Sequence, residues 1–171
     1  MTMNLNERLA ITAVGTCTCV GQNTQQTSAS IRAGLNRFVE HPAYLSIARA
    51  GADPEDPVPP AVAMVPTLDP ELNSQDRLMQ LLITAFRDLV HNRQFNRSMM
   101  ARAGFFLALP SDDPDMMPFG IGTDFVKDFA EQTAMSPFPV TKVVRSGNTG
   151  MAELIRVAAL YRGDGQLQRC I

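Results

Sequence analysis

The sequence predicts an α/β fold built on a mixed, mostly parallel sheet, and three observations carry that prediction. Strand-length apolar runs alternate with helical patterns along the second half of the chain. One of those runs, residues 103–109 (AGFFLAL), is apolar without interruption, the signature of a strand covered on both faces. Residues 143–165 (VVRSGNTGMAELIRVAALYRGDG) have the layout of a strand entering a helix through a tight glycine turn.

The elements follow in order. Residues 9–14 read as a short buried strand that ends at Gly15, before a polar turn around Gly21, Gln22 and Asn23. A helix follows, capped by Thr24 or Thr27, with Ile31 and Leu35 four apart on one face and Gly34 at its end. Residues 37–73 form a Pro-rich surface excursion within a single domain spanning 1–171, and the extended piece 61–65 is suited to pairing at a sheet edge. The clearest helix spans 74–92. Ser74 is its natural cap, and Leu78, Leu81, Leu82, Ala85, Phe86, Leu89 and Val90 mark its apolar face.

After the buried strand at 103–109, closed by Pro110, comes a turn-rich loop with Asp112, Asp113 and Asp115. Its spacing does not match an EF-hand, and a solvated loop explains it. Residues 122–135 read as a helix with Phe125, Val126, Phe129 and Ala130 facing inward, stopped by Pro137 and Pro139. Residues 140–144 are a strand. The glycine turn then opens a helix with Met151, Leu154, Ile155 and Ala158 on one face, closed by Gly163 and Gly165, and residues 167–171 begin another strand. An apolar strand that stops in mid-run leaves an edge suited to pairing with another chain.

Composition narrows the function classes. A chain of 171 residues can bury a full core, and 45% apolar with 19% charged residues is ordinary for a globular protein. A formal charge of −2 gives no footprint for nucleic acid. No apolar run reaches membrane-helix length and no basic region precedes a signal core, so the chain reads as cytoplasmic, with no membrane partner. The three cysteines, Cys17, Cys19 and Cys170, suit neither a disulfide framework nor a zinc ribbon. They read as structural thiols, with Cys17 and Cys19 alternatively a redox or metal pair that lacks further ligands. No metal or cofactor is expected.

The turn Ser146-Gly147-Asn148-Thr149-Gly150 is the candidate site. Its glycines let the backbone bend and approach a ligand, and the N–H groups of the new helix face whatever charge sits there. Either it is a well-formed helix start capped by Asn148 or Thr149, or it binds a carbonyl or carboxylate through Gly147, Asn148, Thr149 and Gly150. Ser146 is the one side chain in it that could act as a nucleophile. A serine needs a base, and the two histidines, His41 and His91, both read as surface residues away from the turn.

Three stretches resemble the N-terminal half of the β-ketoacyl synthases of the thiolase-like superfamily. AITAVGTCTCVGQNTQQTSASIRAGL is similar to their first strand, glycine turn and first helix. SQDRLMQLLITAFRDLV with GFFLALP resembles the helix and strand that follow, and VVRSGNTGMAELIRVAALYRGDGQLQRCI resembles their active-site strand, turn, helix and next strand. The resemblance implies a layered αβαβα fold of which this chain supplies the first half, with dimerisation through the strand before the turn, here 140–144. Laying the family's glycine on Gly150 puts its nucleophilic cysteine at Gly147, so the acyl-accepting thiol is absent, and Cys19 falls where the family has a proline. The family's other catalytic residues come from a second half beyond these residues.

The expectation is therefore a degenerate, non-catalytic β-ketoacyl synthase-like protein. It would act as a homodimer, or as a heterodimer with a synthase-like protein, in acyl-chain assembly such as fatty acid or polyketide biosynthesis, with acyl carrier protein as a further partner. The alternatives are an acyltransferase of the 3-oxoacyl synthase type completed by a second chain, with Ser146 as nucleophile, and an adaptor or chaperone that binds no acyl group.

Overall fold

The computed structural model describes residues 10–41, 59–72, 74–92, 99, 102–111, 121, 124–135, 138–163 and 167–171. They fall into two compact units, Val14–His91 and a second made of Met1–Ala13 with Asn92–Ile171.

In Val14–His91 the first helix, α1, covers Thr24–Arg32. Its cap is Asn23, whose side-chain oxygen accepts the Gln26 N–H at 2.9 Å, rather than Thr24 or Thr27. Those threonines are engaged elsewhere. The Thr24 hydroxyl reaches Asp88 Oδ2 at 2.6 Å, while Thr27 is buried in a hydroxyl cluster with Thr16 and Thr18 at 3.2 and 3.1 Å. Gly34 takes φ +67 just past the helix, as its position predicts. Ile31 and Leu35, expected to face inward, are 66% and 60% exposed. The helix is held by hydroxyl contacts along its length, including Ser30 Oγ to the Val20 carbonyl at 2.8 Å, and not by that apolar pair.

The strand expected at 9–14 does not form among its described residues, 10–14. Ile11 and Val14 are 86% and 45% exposed. Farther along the same segment, the backbone finds side-chain partners in place of a ladder: the Val14 carbonyl lies 3.1 Å from the Thr24 hydroxyl, and the Thr16 N–H donates to Asp88 Oδ2 at 3.0 Å. Gly15 lies flat on the following long helix, where a Cβ would run into the Ala85 carbonyl and the Leu89 backbone. A bridge between Thr18 and Gly21 then closes the turn before α1.

Strand β1, Phe38–Glu40, pairs antiparallel with β2, Ala61–Ala63, in the register Phe38 to Ala63. The extended 61–65 piece thus does pair, over 61–63. The His41 N–H continues the ladder to the Pro60 carbonyl at 3.0 Å, and this anchored position is buried, correcting the surface placement expected for His41. Helix α2, Ser74–His91, matches the predicted span closely and has Ser74 as its first helical residue. Its buried line is Met79, Ile83 and Phe86 at spacing i, i+4, i+7, rotated from the leucine-centred face; Leu78, Leu81, Leu82 and Leu89 are half-buried and Val90 is exposed.

Asp88 on α2 organises this unit. Its Oδ2 accepts from the Thr16 N–H, the Thr24 N–H at 2.8 Å and the Thr24 hydroxyl, which ties the 14–24 segment to the helix. Burial is the largest single influence on its ionisation and opposes the charge. The Thr24 hydroxyl, the two N–H groups and nearby His91 together outweigh it, so the carboxyl is held below its ordinary value.

The second unit is organised around a three-stranded parallel sheet in the order β4-β3-β5, with β3 Ala103–Ala108, β4 Val140–Val144 and β5 Arg169–Cys170. All three strands fall where the apolar runs predict them. β3 is central, and Ala103 and Phe105 are buried at 0% and 3% exposure. Helix α3, Phe125–Gln132, buries Phe125 and Phe129 as expected, with Val126 and Ala130 half-buried. Phe105 stacks between Phe129 at 5.1 Å and Phe138 at 4.9 Å. The helix ends at Gln132, before the prolines expected to stop it, with Ala134 at φ 50 just beyond.

Helix α4, Gly150–Gly163, packs on β3 and β4. Leu154 and Ala158 are buried at its contact, one turn apart, whereas Met151 and Ile155 are 63% and 50% exposed; the buried stripe is narrower than the expected four-residue face. Leu167 fills the space that Gly104 leaves beside β3, where a Cβ would lie 2.5 Å from its Cδ1.

Candidate functional site

The glycine turn lies at the carboxyl ends of two parallel strands, where open α/β sheets place their ligands. β4 delivers the chain to Arg145 and Ser146, and Gly147–Thr149 make one turn of 3-10 helix that runs directly into α4. Gly147 takes φ +53, which explains a glycine there. Gly150 is buried against the end of β3: a Cβ on it would stand 3.0 Å from that of Ala108 and 3.4 Å from Val144 Cγ2. The Ser111 backbone nitrogen, in the segment leaving β3, lies 3.8 Å from where a Gly147 Cβ would be.

The side chains of the turn are arranged differently from a simple cap. Both the N–H and the hydroxyl of Thr149 donate back to the Ser146 carbonyl, at 3.2 and 2.9 Å, so Thr149 closes the turn rather than accepting from the helix start. Asn148 is exposed. Ser146 is also exposed, and its hydroxyl donates to Glu153 Oε2 at 2.8 Å. Arg145, one residue earlier, donates to the Ile121 carbonyl at 2.8 Å.

Glu153 is the residue that sequence reasoning missed. The two histidines, His41 and His91, both lie in the other unit, while the group beside the Ser146 hydroxyl is a carboxylate in the first turn of α4. The signal was a serine just before a helix start with a glutamate three residues past Gly150. A negative charge there complements the helix dipole and opposes a second anion. Of the two ligands expected for the turn, a neutral carbonyl therefore suits it better than a carboxylate.

Elsewhere the chemistry is sparse. Cys17 and Cys19 are half-buried and Cys170 on β5 is exposed, none of them joined in a disulfide; burial pushes the Cys17 thiol up. Among the described residues no group of three or more His, Cys, Asp or Glu side chains converges as a metal site. Asp112, Asp113 and Asp115 lie outside the described residues. No helix among the described residues is long and apolar enough to cross a membrane. Compared with known proteins, the chain matches no family model, no curated protein and no solved structure.

Proposed function

We propose that this protein is a degenerate, non-catalytic relative of the β-ketoacyl synthases, with a thiolase-like layered fold, that works by pairing with a second chain. The observation that carries the reading is the status of β4. Among the described residues it is the outer strand of the sheet, with Thr141, Lys142 and Val143 exposed, and it leads straight into a turn with no thiol. An open edge next to the core is a template for another strand, and the resemblance puts the family's subunit contact on this element. Backbone N–H groups at the start of α4 remain whatever the nucleophile, so recognition of an acyl carbonyl without a covalent bond is compatible with the same architecture.

Light scattering after size exclusion tests the pairing. The reading expects a dimer that Val143→Asp converts to monomer, since a charge on the exposed edge opposes strand addition. A wild-type protein that stays monomeric across concentration, alone and with a synthase, contradicts it.

A second reading, an acyltransferase with Ser146 as nucleophile, has one observation in its favour, the 2.8 Å bond from Ser146 to Glu153. In that reading the hydroxyl attacks a thioester carbonyl, its proton passes to the carboxylate, the carbon–sulfur bond breaks and the thiol leaves with the proton. Ser146 is exposed and its bond to half-buried Glu153 is open to solvent, which leaves the carboxylate hydrated and the serine poorly activated, and the non-catalytic reading is preferred.

A further inference from the structure

The hydrogen-bonding phase of β4 fixes how another strand can join it. Leu109, in the segment leaving β3, donates its N–H to the Val144 carbonyl at 2.9 Å, so Val144 turns its backbone groups toward β3, and Lys142 and Val140 do the same. Successive residues of a strand alternate sides. Thr141 and Val143 therefore point their N–H and C=O groups out of the sheet at the open edge, where both residues are exposed. An incoming antiparallel strand must set outward groups against outward groups.

Self-pairing about a two-fold axis then has few registers. Those that pair both Thr141 and Val143 place the axis at Thr141, Lys142 or Val143. An axis at Thr141 sets Val143 against the partner's Pro139, which has no N–H to give. An axis at Lys142 sets the two Lys142 side chains directly opposite each other in the closer, non-hydrogen-bonded kind of pair, where like charges destabilise. An axis at Val143 has neither fault. Val143 meets the partner's Val143, Thr141 meets the partner's Arg145, and Lys142 lies opposite the partner's Val144.

We infer, resting on the reading that chains pair through β4, that the partner is a second copy of this chain, joined antiparallel with the axis at Val143. Each copy presents the same edge, and no like charges stand directly opposite across it. Ser146 falls opposite the partner's Val140, so the start of the partner's β4 flanks each glycine turn. The two turns stand roughly 20 Å apart along the shared strands.

The test introduces Val143→Cys, Thr141→Cys and Lys142→Cys one at a time into the full-length protein and oxidises each mildly with copper phenanthroline. Mapping of the disulfide-linked peptides separates the new bridges from any made by Cys17, Cys19 or Cys170. A disulfide needs Cα atoms within about 7 Å. With the axis at Val143, the two copies of that residue stand about 5.5 Å apart, whereas those of Lys142 are offset by roughly 7 Å along the strand and those of Thr141 by roughly 14 Å. Val143→Cys is expected to form the symmetric bridge, and the other two variants are not. In the native-cysteine background, Lys142→Gln is expected to leave the dimer dissociation constant within about twofold, while relief of a like-charge pair would tighten it up to about fivefold. A dimer that fails to bridge through Val143→Cys, or that tightens about fivefold in Lys142→Gln, overturns the axis. A chain that light scattering shows paired with a synthase and never with itself overturns the second copy and leaves the β4 reading standing; one that pairs with neither overturns both.

Discussion

Replacing Asp88 should unfasten the 14–24 segment from α2, and the structure sets the size of the effect. One oxygen, Oδ2, receives the Thr16 N–H at 3.0 Å, the Thr24 N–H at 2.8 Å and the Thr24 hydroxyl at 2.6 Å. Hydrogen bonds to a charged group contribute roughly 1.5–3 kcal/mol each, but three on one half-buried oxygen share their effect, and the freed donors regain water. Asp88→Ala should therefore cost about 2–4 kcal/mol. Asp88→Asn keeps an acceptor oxygen and loses the charge; since charge-assisted bonds are about twice as strong as neutral ones, it should cost about half as much. Urea titrations followed by circular dichroism measure both. The pH dependence has a fixed sign: because the folded carboxyl is held below its ordinary value, its stabilisation is complete above that value and disappears as pH falls through the folded one. The gap between wild type and Asp88→Asn should be constant above about pH 5 and close on the acid side. An Asp88→Ala protein within about 0.5 kcal/mol of wild type, or a gap that widens in acid, refutes the reasoning.

Substitutions at three further positions probe other contacts. Gly15→Ala drives a methyl into the Ala85 carbonyl and the Leu89 backbone, and should lower the urea midpoint by the equivalent of about 1–3 kcal/mol or more. Phe129→Ala empties a large side chain that is 0% exposed and removes its stack on Phe105, for a loss of about 3–5 kcal/mol by the same titration. Gly147→Ala meets only the Ser111 backbone and side chain near 3.8 and 3.9 Å, so its cost is the φ +53 conformation, about 1–2 kcal/mol in thermal unfolding, and Gly147→Asn should cost less.

The parallel sheet was the most legible part of the chain because its strands advertise themselves. An uninterrupted AGFFLA marks a central strand, though only Ala103, Gly104 and Phe105 are buried while Phe106 and Leu107 are half-buried and Ala108 is exposed, and the glycine turn between β4 and α4 is specified locally by residues that tolerate it. Residues 10–14 misled for the opposite reason. Their β-branched composition suits a strand, but Thr24 and Asp88 on distant segments offer polar partners to the neighbouring backbone, and no sequence period reveals a contact 64 or 72 residues away. The face of α2 was misjudged by a rotation, since Leu, Met and Phe surround so much of the helix that periodicity leaves the buried stripe loosely fixed. At the turn, the residue types were legible and their pairing was not. Ser146 was evident, yet Glu153 becomes its partner only once the 3-10 turn has folded the hydroxyl back over the start of α4.

The central claim, a synthase-like turn that makes no covalent bond, is tested most directly by incubating the protein with an acyl thioester and recording its intact mass, with Ser146→Ala alongside. The account predicts an unchanged mass for both proteins. An added acyl group on the wild type that disappears in Ser146→Ala would contradict it and establish the turn as a working acyl-transfer site.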